Sequence, residues 1–161
     1  MTGQIKIERL GPAHHGELLD LLEAAYAPYL APGVTGRFDV HNPDLFGETM
    51  DGGVYYATRQ AGRLAAFVGV FPVRILVCGK VIELPGIGGV ATHPDFRKLG
   101  LMAKLLDHVH RELVDAGQAL AWLSGDRRRY MPWGYEVLTN EYAFQMNARA
   151  PGLKKHLGPP P

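Results

Sequence analysis

Cysteine is nearly absent: Cys78 is the single one among 161 residues. That excludes an internal disulfide and a cysteine-based metal cluster. The residue reads as a buried or half-buried strand position, not a nucleophile. Neither sign of charge is in excess. Lys and Arg number 17 against 16 Asp and Glu, for a net charge of +1, which argues against the broad basic surface that nucleic acid requires. No apolar run reaches membrane-spanning length. The opening Met1-Thr2-Gly3-Gln4 lacks the basic and then apolar pattern of a signal peptide. A cytoplasmic protein with no membrane partner is the expectation. Histidines fall in the wrong places for a metal: His14 and His15 are adjacent, and His108 and His110 point to different sides of a helix. No metal is expected. A phosphate loop of the nucleotide-triphosphatase type is excluded too, because no Gly-Lys-Ser/Thr follows four spacer residues.

What is present is an ordinary globular composition, 47% hydrophobic and 20% charged, without repeats or linkers. One domain over residues 1–149 is expected, with 150–161, rich in Pro, Gly and Lys, as a flexible tail. Ile5 to Leu10 alternates as a strand. Glu17 to about Tyr26 carries an apolar stripe and reads as a helix, ended by Pro28 and Pro32. Residues 31–53 read as loop with a short helix. Strands follow at 54–59, 63–76 and 77–84, then a glycine-rich strand over 85–92. Glycines inside a strand mark a bulge or a close approach by something else. A helix is expected from about Gly100 to Val114, with Leu101, Leu105, Val109 and Leu113 on one face. An apolar strand at 119–124, a short helix capped by Asp126, and strands at 135–137 and 142–146 complete the chain.

The stretch with the most chemistry runs Gly89-Val90-Ala91-Thr92-His93-Pro94-Asp95-Phe96-Arg97-Lys98-Leu99-Gly100-Leu101-Met102. It joins an apolar strand to an amphipathic helix through a basic turn. Such a turn offers free backbone N–H groups, fixed positive charge and the positive end of a helix dipole. All three suit a diphosphate. A second stretch, Ser124-Gly125-Asp126-Arg127-Arg128-Arg129-Tyr130-Met131-Pro132-Trp133-Gly134-Tyr135, sets a tyrosine among three arginines just before a glycine turn.

Arg97-x-x-Gly100 resembles the acyl-CoA pyrophosphate loop of GNAT-family N-acetyltransferases, and Arg97-x-x-Gly100-Leu101-Met102 resembles it as written in the enhanced-intracellular-survival (Eis-like) branch. Met102 departs from the Gly or Ala usual in the wider family. Arg129-Tyr130-x-x-Trp133-Gly134-Tyr135 is similar to the Eis-like Arg-Tyr-x-x-Phe-Gly-Tyr. The likeness covers roughly residues 4–147. It implies an α/β fold of the GNAT type: a mixed, mostly antiparallel sheet flanked by helices, with a βαβ acyl-CoA-binding crossover. It implies acetyl-CoA as co-substrate, held by Val90, Ala91, Thr92, Arg97, Lys98, Leu99, Gly100, Leu101 and Met102. The pantetheine arm would lie against the glycine-rich strand. Tyr130 takes the position of the general acid that protonates the departing thiolate.

The chemistry then expected is direct attack of a primary amine on the thioester in a ternary complex. The bulged strand would supply an N–H to the oxyanion. The acceptor is a small-molecule or peptide amine, with Phe38, His41 and Phe46 as candidate contacts, and a homodimer is an option. The positions where many GNAT enzymes carry a strand glutamate are Gly86, Gly88 and Gly89. The general base therefore stays unassigned among Glu83, His93, Glu48, Asp51 and a water chain. The alternatives are a non-catalytic acyl-CoA-binding or regulatory module, or the N-terminal fragment of a larger Eis-like acetyltransferase.

Overall fold

Alternation of apolar and polar residues lays the first strands side by side. In the computed structural model, which describes residues 5–30 and 36–137, β1 (Ile7–Arg9) pairs antiparallel with β2 (Val54–Gln60), and β2 with β3 (Arg63–Val77). β3 turns back antiparallel into β4 (Lys80–Thr92). Two-residue turns join β2 to β3 and β3 to β4. Ala61 and Gly62 have φ of 49° and 78°, and Cys78 and Gly79 have 48° and 76°. Paired positive φ values suit the twist of a hairpin. The separate strands expected at 77–84 and 85–92 are therefore one. Pro72 faces Pro85, so the missing N–H donors fall on a single rung and the ladder continues past them. Cys78 is exposed in the hairpin turn, not buried in a strand.

The helices sit on opposite faces of this sheet. α1 (His15–Tyr26) buries Leu18, Leu21, Leu22 and Ala25 in a core with Tyr55, Ala57, Phe67, Phe71 and Ala91. Tyr56 alternates with Tyr55 and so points to the other face, where α4 (Leu101–Asp115) lies. α4 buries Leu101, Leu105, Leu106 and Val109 and packs on β2, β3 and β4. After α4 the chain returns as β5 (Trp122–Leu123), parallel to β4. The order β1-β2-β3-β4-β5 thus holds one parallel pair, made by the β4–α4–β5 crossover. β5 is shorter than the strand expected at 119–124.

Between α1 and β2, α2 (Phe38–His41) and α3 (Pro43–Phe46) are single turns. They are fastened from below: Tyr55 Oη donates to the Leu45 carbonyl at 2.5 Å, and the His15 ring lies 2.9 Å from the Phe46 carbonyl through Nε2.

The described residues up to Ser124 form one compact unit, and those from Gly125 belong to another. In the second unit α5 (Arg127–Tyr130) is capped by Asp126, whose carboxylate accepts from Arg128 N–H at 2.9 Å, as expected. Gly134 at φ 82° ends the following turn. Residues 135–137 are not a strand, and Glu136 is drawn to Arg127 in a forked pair at 2.8–3.1 Å. The strand expected at 142–146 and the tail at 150–161 lie outside the described residues.

The glycines of β4 serve the core first. A Cβ on Gly89 would stand 2.9 Å from both Phe46 Cζ and Phe67 Cε1, and φ there is 62°. Left-handed backbone and overpacking together should make Gly89→Ala destabilising by about 2–4 kcal/mol. Urea denaturation measures it, and a change under about 0.5 kcal/mol would show that the rings yield freely.

Candidate functional site

The site begins where β4 loses its register. Phe67 pairs with Ala91 but Gly69 with Gly88. One extra residue therefore bulges from β4 at Gly89–Val90, as the glycines lead one to expect. What crowds these glycines is the chain's own rings: Phe71 lies 3.2 Å from a Cβ on Gly88, and Phe46 and Phe67 close on Gly89. β5 accompanies β4 only at Gly86 and Ile87. From Gly88 to Thr92, among the described residues, no strand covers that side of β4. The two parallel strands open at their carboxyl ends, the place where open α/β sheets take ligands.

The chain leaves this opening through a 3-10 turn, Pro94–Phe96, and enters α4. Lys98 and Gly100 have φ of 68° and 70°. Arg97, Lys98, Leu99 and Gly100 are all exposed. Gly100 is the N-cap of α4 and contributes no side-chain cap, and the first turn of α4 holds no acidic residue. The N–H groups of that turn have no carbonyl partner within the helix, and the first intrahelical bond is Lys104 N–H to Gly100 O at 3.2 Å. Basic side chains, turned backbone and an uncapped helix end converge on one small surface. Such a surface suits an anion.

The end of α1 touches both halves of the site. Arg97 Nη2 donates to the Ala25 carbonyl at 3.1 Å, and Tyr26 Oη donates to the Val90 carbonyl at 3.1 Å. Arg97 thereby caps a helix C-terminus, a favourable place for a cation. Tyr26 escapes sequence reading because it sits at the end of an apolar helical stripe and looks like packing.

The other candidate residues take separate places. Phe46 is only 4% exposed and stacks edge-on with Phe38, Phe67 and Phe71. Phe38 is half-buried against Tyr26 at 5.1 Å. His41 is exposed. His93 is committed locally: Nδ1 accepts from Asp95 N–H at 3.2 Å, and Nε2 lies 3.0 Å from Arg63 Nη2. Glu83 pairs with Arg74 across the exposed hairpin. Asp51 accepts from Thr49 at 2.8 Å. No carboxylate stands on β4 between Gly86 and Thr92. No cluster able to hold a metal occurs among the described residues, and none of their helices is long and apolar enough to cross a membrane.

In the second unit, Tyr130 is buried and its ring lies 6.1 Å from that of Tyr135. Burial raises its pKa, against the charge of Arg129 and a hydrogen bond from it. Because Arg129 donates to Tyr130 Oη, the phenol's own proton is left to be given elsewhere. Burial likewise pushes Tyr135 up to about 12.

An acetyltransferase (GNAT) domain family profile matches residues 6–138. Solved structures agree on the fold. A GNAT acetyltransferase from Brucella melitensis, solved with acetyl-CoA, is 21% identical with TM-score 0.67, over 83% of this chain and 84% of that one. A predicted acetyltransferase from Clostridium acetobutylicum, also solved with acetyl-CoA, is 14% identical with TM-score 0.68, over 96% of this chain and 100% of that one. A probable N-acyltransferase from Enterococcus faecalis is 21% identical with TM-score 0.67 over 83% of this chain. This chain spans only 33% of that protein's length. No curated protein sequence matches. The chain belongs to the GNAT acetyltransferase family and has its fold.

α4 is held at its far end by a polar cluster. Glu112 accepts from Tyr56 Oη at 2.6 Å, pairs with Arg9, and lies 3.0 Å from His108 Nε2. The Tyr56 hydrogen bond, with Arg9 behind it, holds the Glu112 carboxyl below its ordinary 4.5. Tyr56 is pushed up to about 12, chiefly by burial. A lowered carboxyl contributes stability above its unfolded pKa and loses it as pH falls through the folded one. Glu112→Gln should therefore be less stable than wild type at pH 7, and the gap should shrink below about pH 4.5. Denaturation across pH 7 to 3 tests this. A gap unchanged with pH would mean that the carboxylate's charge contributes nothing.

Proposed function

We propose that this protein transfers an acetyl group from acetyl-CoA to a primary amine, within the Eis-like branch of its family. The observation that carries the reading is the convergence at the α4 N-terminus. There Arg97, Lys98 and Gly100 present exposed charge and turned backbone beside the open edge of β4. A diphosphate fits the first and an extended amide arm the second. The acetyl-CoA bound in the Brucella and Clostridium proteins supports the same co-substrate here. The Leu101-Met102 ending of the loop and the Arg129-Tyr130 segment support the branch. The exposed thiol of Cys78 suits a reducing compartment such as the cytoplasm.

In this reading a neutral amine attacks the thioester carbonyl and forms the C–N bond. An N–H on the open side of the β4 bulge stabilises the oxyanion. The C–S bond then breaks, and the thiolate takes the Tyr130 proton. Burial keeps that phenol protonated through neutral pH. The amine nitrogen loses its proton to water, since β4 offers no carboxylate between Gly86 and Thr92.

Gly100 gives a clean test of the diphosphate site. A Cβ there meets nothing within 4 Å, and both Asn and Asp tolerate positive φ. Gly100→Asn should keep acetyl-CoA binding. Gly100→Asp should weaken it about tenfold to a thousandfold through like charge alone. Calorimetric titration separates the two, and equal affinity in both variants would remove the diphosphate from this turn.

For Tyr130, Tyr130→Phe should lower turnover by about 10²-fold with an amine that the wild type accepts. Acetyl-CoA affinity should stay unchanged. Equal turnover in the variant would return Tyr130 to packing.

A further inference from the structure

One edge of β4 is used and the other is open. His93 N–H donates to the Ala65 carbonyl at 2.9 Å, carrying the β3 ladder past the end of the strand. N–H groups two residues apart in a strand face the same side. Ala91 N–H therefore also faces β3, opposite Phe67. In a trans peptide the preceding carbonyl points the other way, and no cis peptide interrupts the described chain. The Val90 carbonyl thus faces the side that β5 leaves after pairing at Ile87. Val90 is 8% exposed, and a carbonyl that leaves the strand ladder takes another donor where one is in reach. That donor is a phenol, Tyr26 Oη at 3.1 Å. One residue earlier, the Ala25 carbonyl holds Arg97. The last turn of α1 therefore engages two groups at once, and both are groups the acetyl-CoA reading gives to the co-substrate.

We infer that Tyr26 is an internal stand-in for the pantetheine arm: its hydroxyl holds the Val90 carbonyl and withdraws when an amide N–H of acetyl-CoA takes that place. The inference rests on the acetyl-CoA reading. No covalent bond changes, because one O–H···O bond is exchanged for one N–H···O bond. The exchange also reaches the neighbouring segment. The Tyr26 ring lies 5.1 Å from Phe38 and 6.5 Å from Tyr29, so its withdrawal repacks α2 when the co-substrate arrives. The competing arrangement is sharing: a carbonyl has two lone pairs, and both donors could use Val90 together. Sharing and displacement differ in sign. Displacement makes the hydroxyl an obstacle to binding, and sharing makes it neutral.

Wild type and Tyr26→Phe, titrated calorimetrically with acetyl-CoA, decide between them. Displacement predicts that the variant binds acetyl-CoA about two- to tenfold more tightly, the worth of one neutral hydrogen bond net of the water that replaces it. Thermal unfolding gives a second readout. The variant should melt lower than wild type alone and gain a larger increment from saturating acetyl-CoA. A purely structural hydroxyl would lower the melting point without tightening binding. Equal or weaker acetyl-CoA affinity in the variant, with wild type binding normally, overturns the stand-in and leaves the acetyl-CoA reading intact. A wild type that does not bind acetyl-CoA overturns the reading itself, and the stand-in with it.

Discussion

The parting of β4 and β5 after Ile87 and Leu123 is the constraint on which the candidate site depends. While the strands run together, each satisfies the other's backbone. Where they separate, β4 keeps its bond ladder to β3 and leaves the opposite row of polar groups without a strand partner. The bulge at Gly89–Val90 sits in this stretch, and the turn into α4 follows directly. An unpaired strand edge with backbone donors and acceptors, followed in the chain by an uncapped helix end, results from ordinary strand geometry. No unusual catalytic side chain is needed to create it, which agrees with the lack of a carboxylate on β4 from Gly86 to Thr92.

The same stretch is under pressure from the opposite face. Phe46, Phe67 and Phe71 press on Gly69, Gly88 and Gly89 closely enough that a methyl group would overlap them. The glycines make a bulge possible and also admit an aromatic core beneath it. That core reaches α3 through Phe46 and α1 through the cluster with Leu18 and Leu22. The position of β4's open edge is thereby tied to the packing of the segment after α1. Tyr26 and Arg97 add a polar tie between the same parts. A close-packed interior transmits such displacements and does not absorb them.

Much of this was legible in the residues. The Arg97-x-x-Gly100 turn stands between a strand and an amphipathic helix as its pattern predicts, and Asp126 marked the cap of α5. The glycines over 86–89 marked a bulge. Other features were not legible, for physical reasons. The turn near Cys78-Gly79-Lys80 is legible from its glycine, but the lone cysteine still reads as a strand position, because nothing local shows that it stands exposed at the hairpin tip. Periodicity cannot tell that β4 continues through Pro85, because the compensating Pro72 is distant in sequence. Phe38 and Phe46 look alike as loop aromatics, and only three-dimensional packing shows that Phe46 fills the core. The roles of Tyr26 and of the Ala25 carbonyl depend on contacts across 64 and 72 residues, which no local pattern encodes.

Acetyl-CoA binding is proposed to rest on the turn from Arg97 into α4 holding the diphosphate. The most direct measurement compares acetyl-CoA with S-acetylpantetheine, which carries the same thioester arm and no diphosphate, by calorimetric titration of the wild-type protein. Acetyl-CoA should bind saturably and more weakly as salt rises, and S-acetylpantetheine should bind at least about 10²-fold more weakly, since two or more charge-assisted hydrogen bonds are lost. Equal affinity for the two ligands, or no binding of acetyl-CoA, would contradict that proposal.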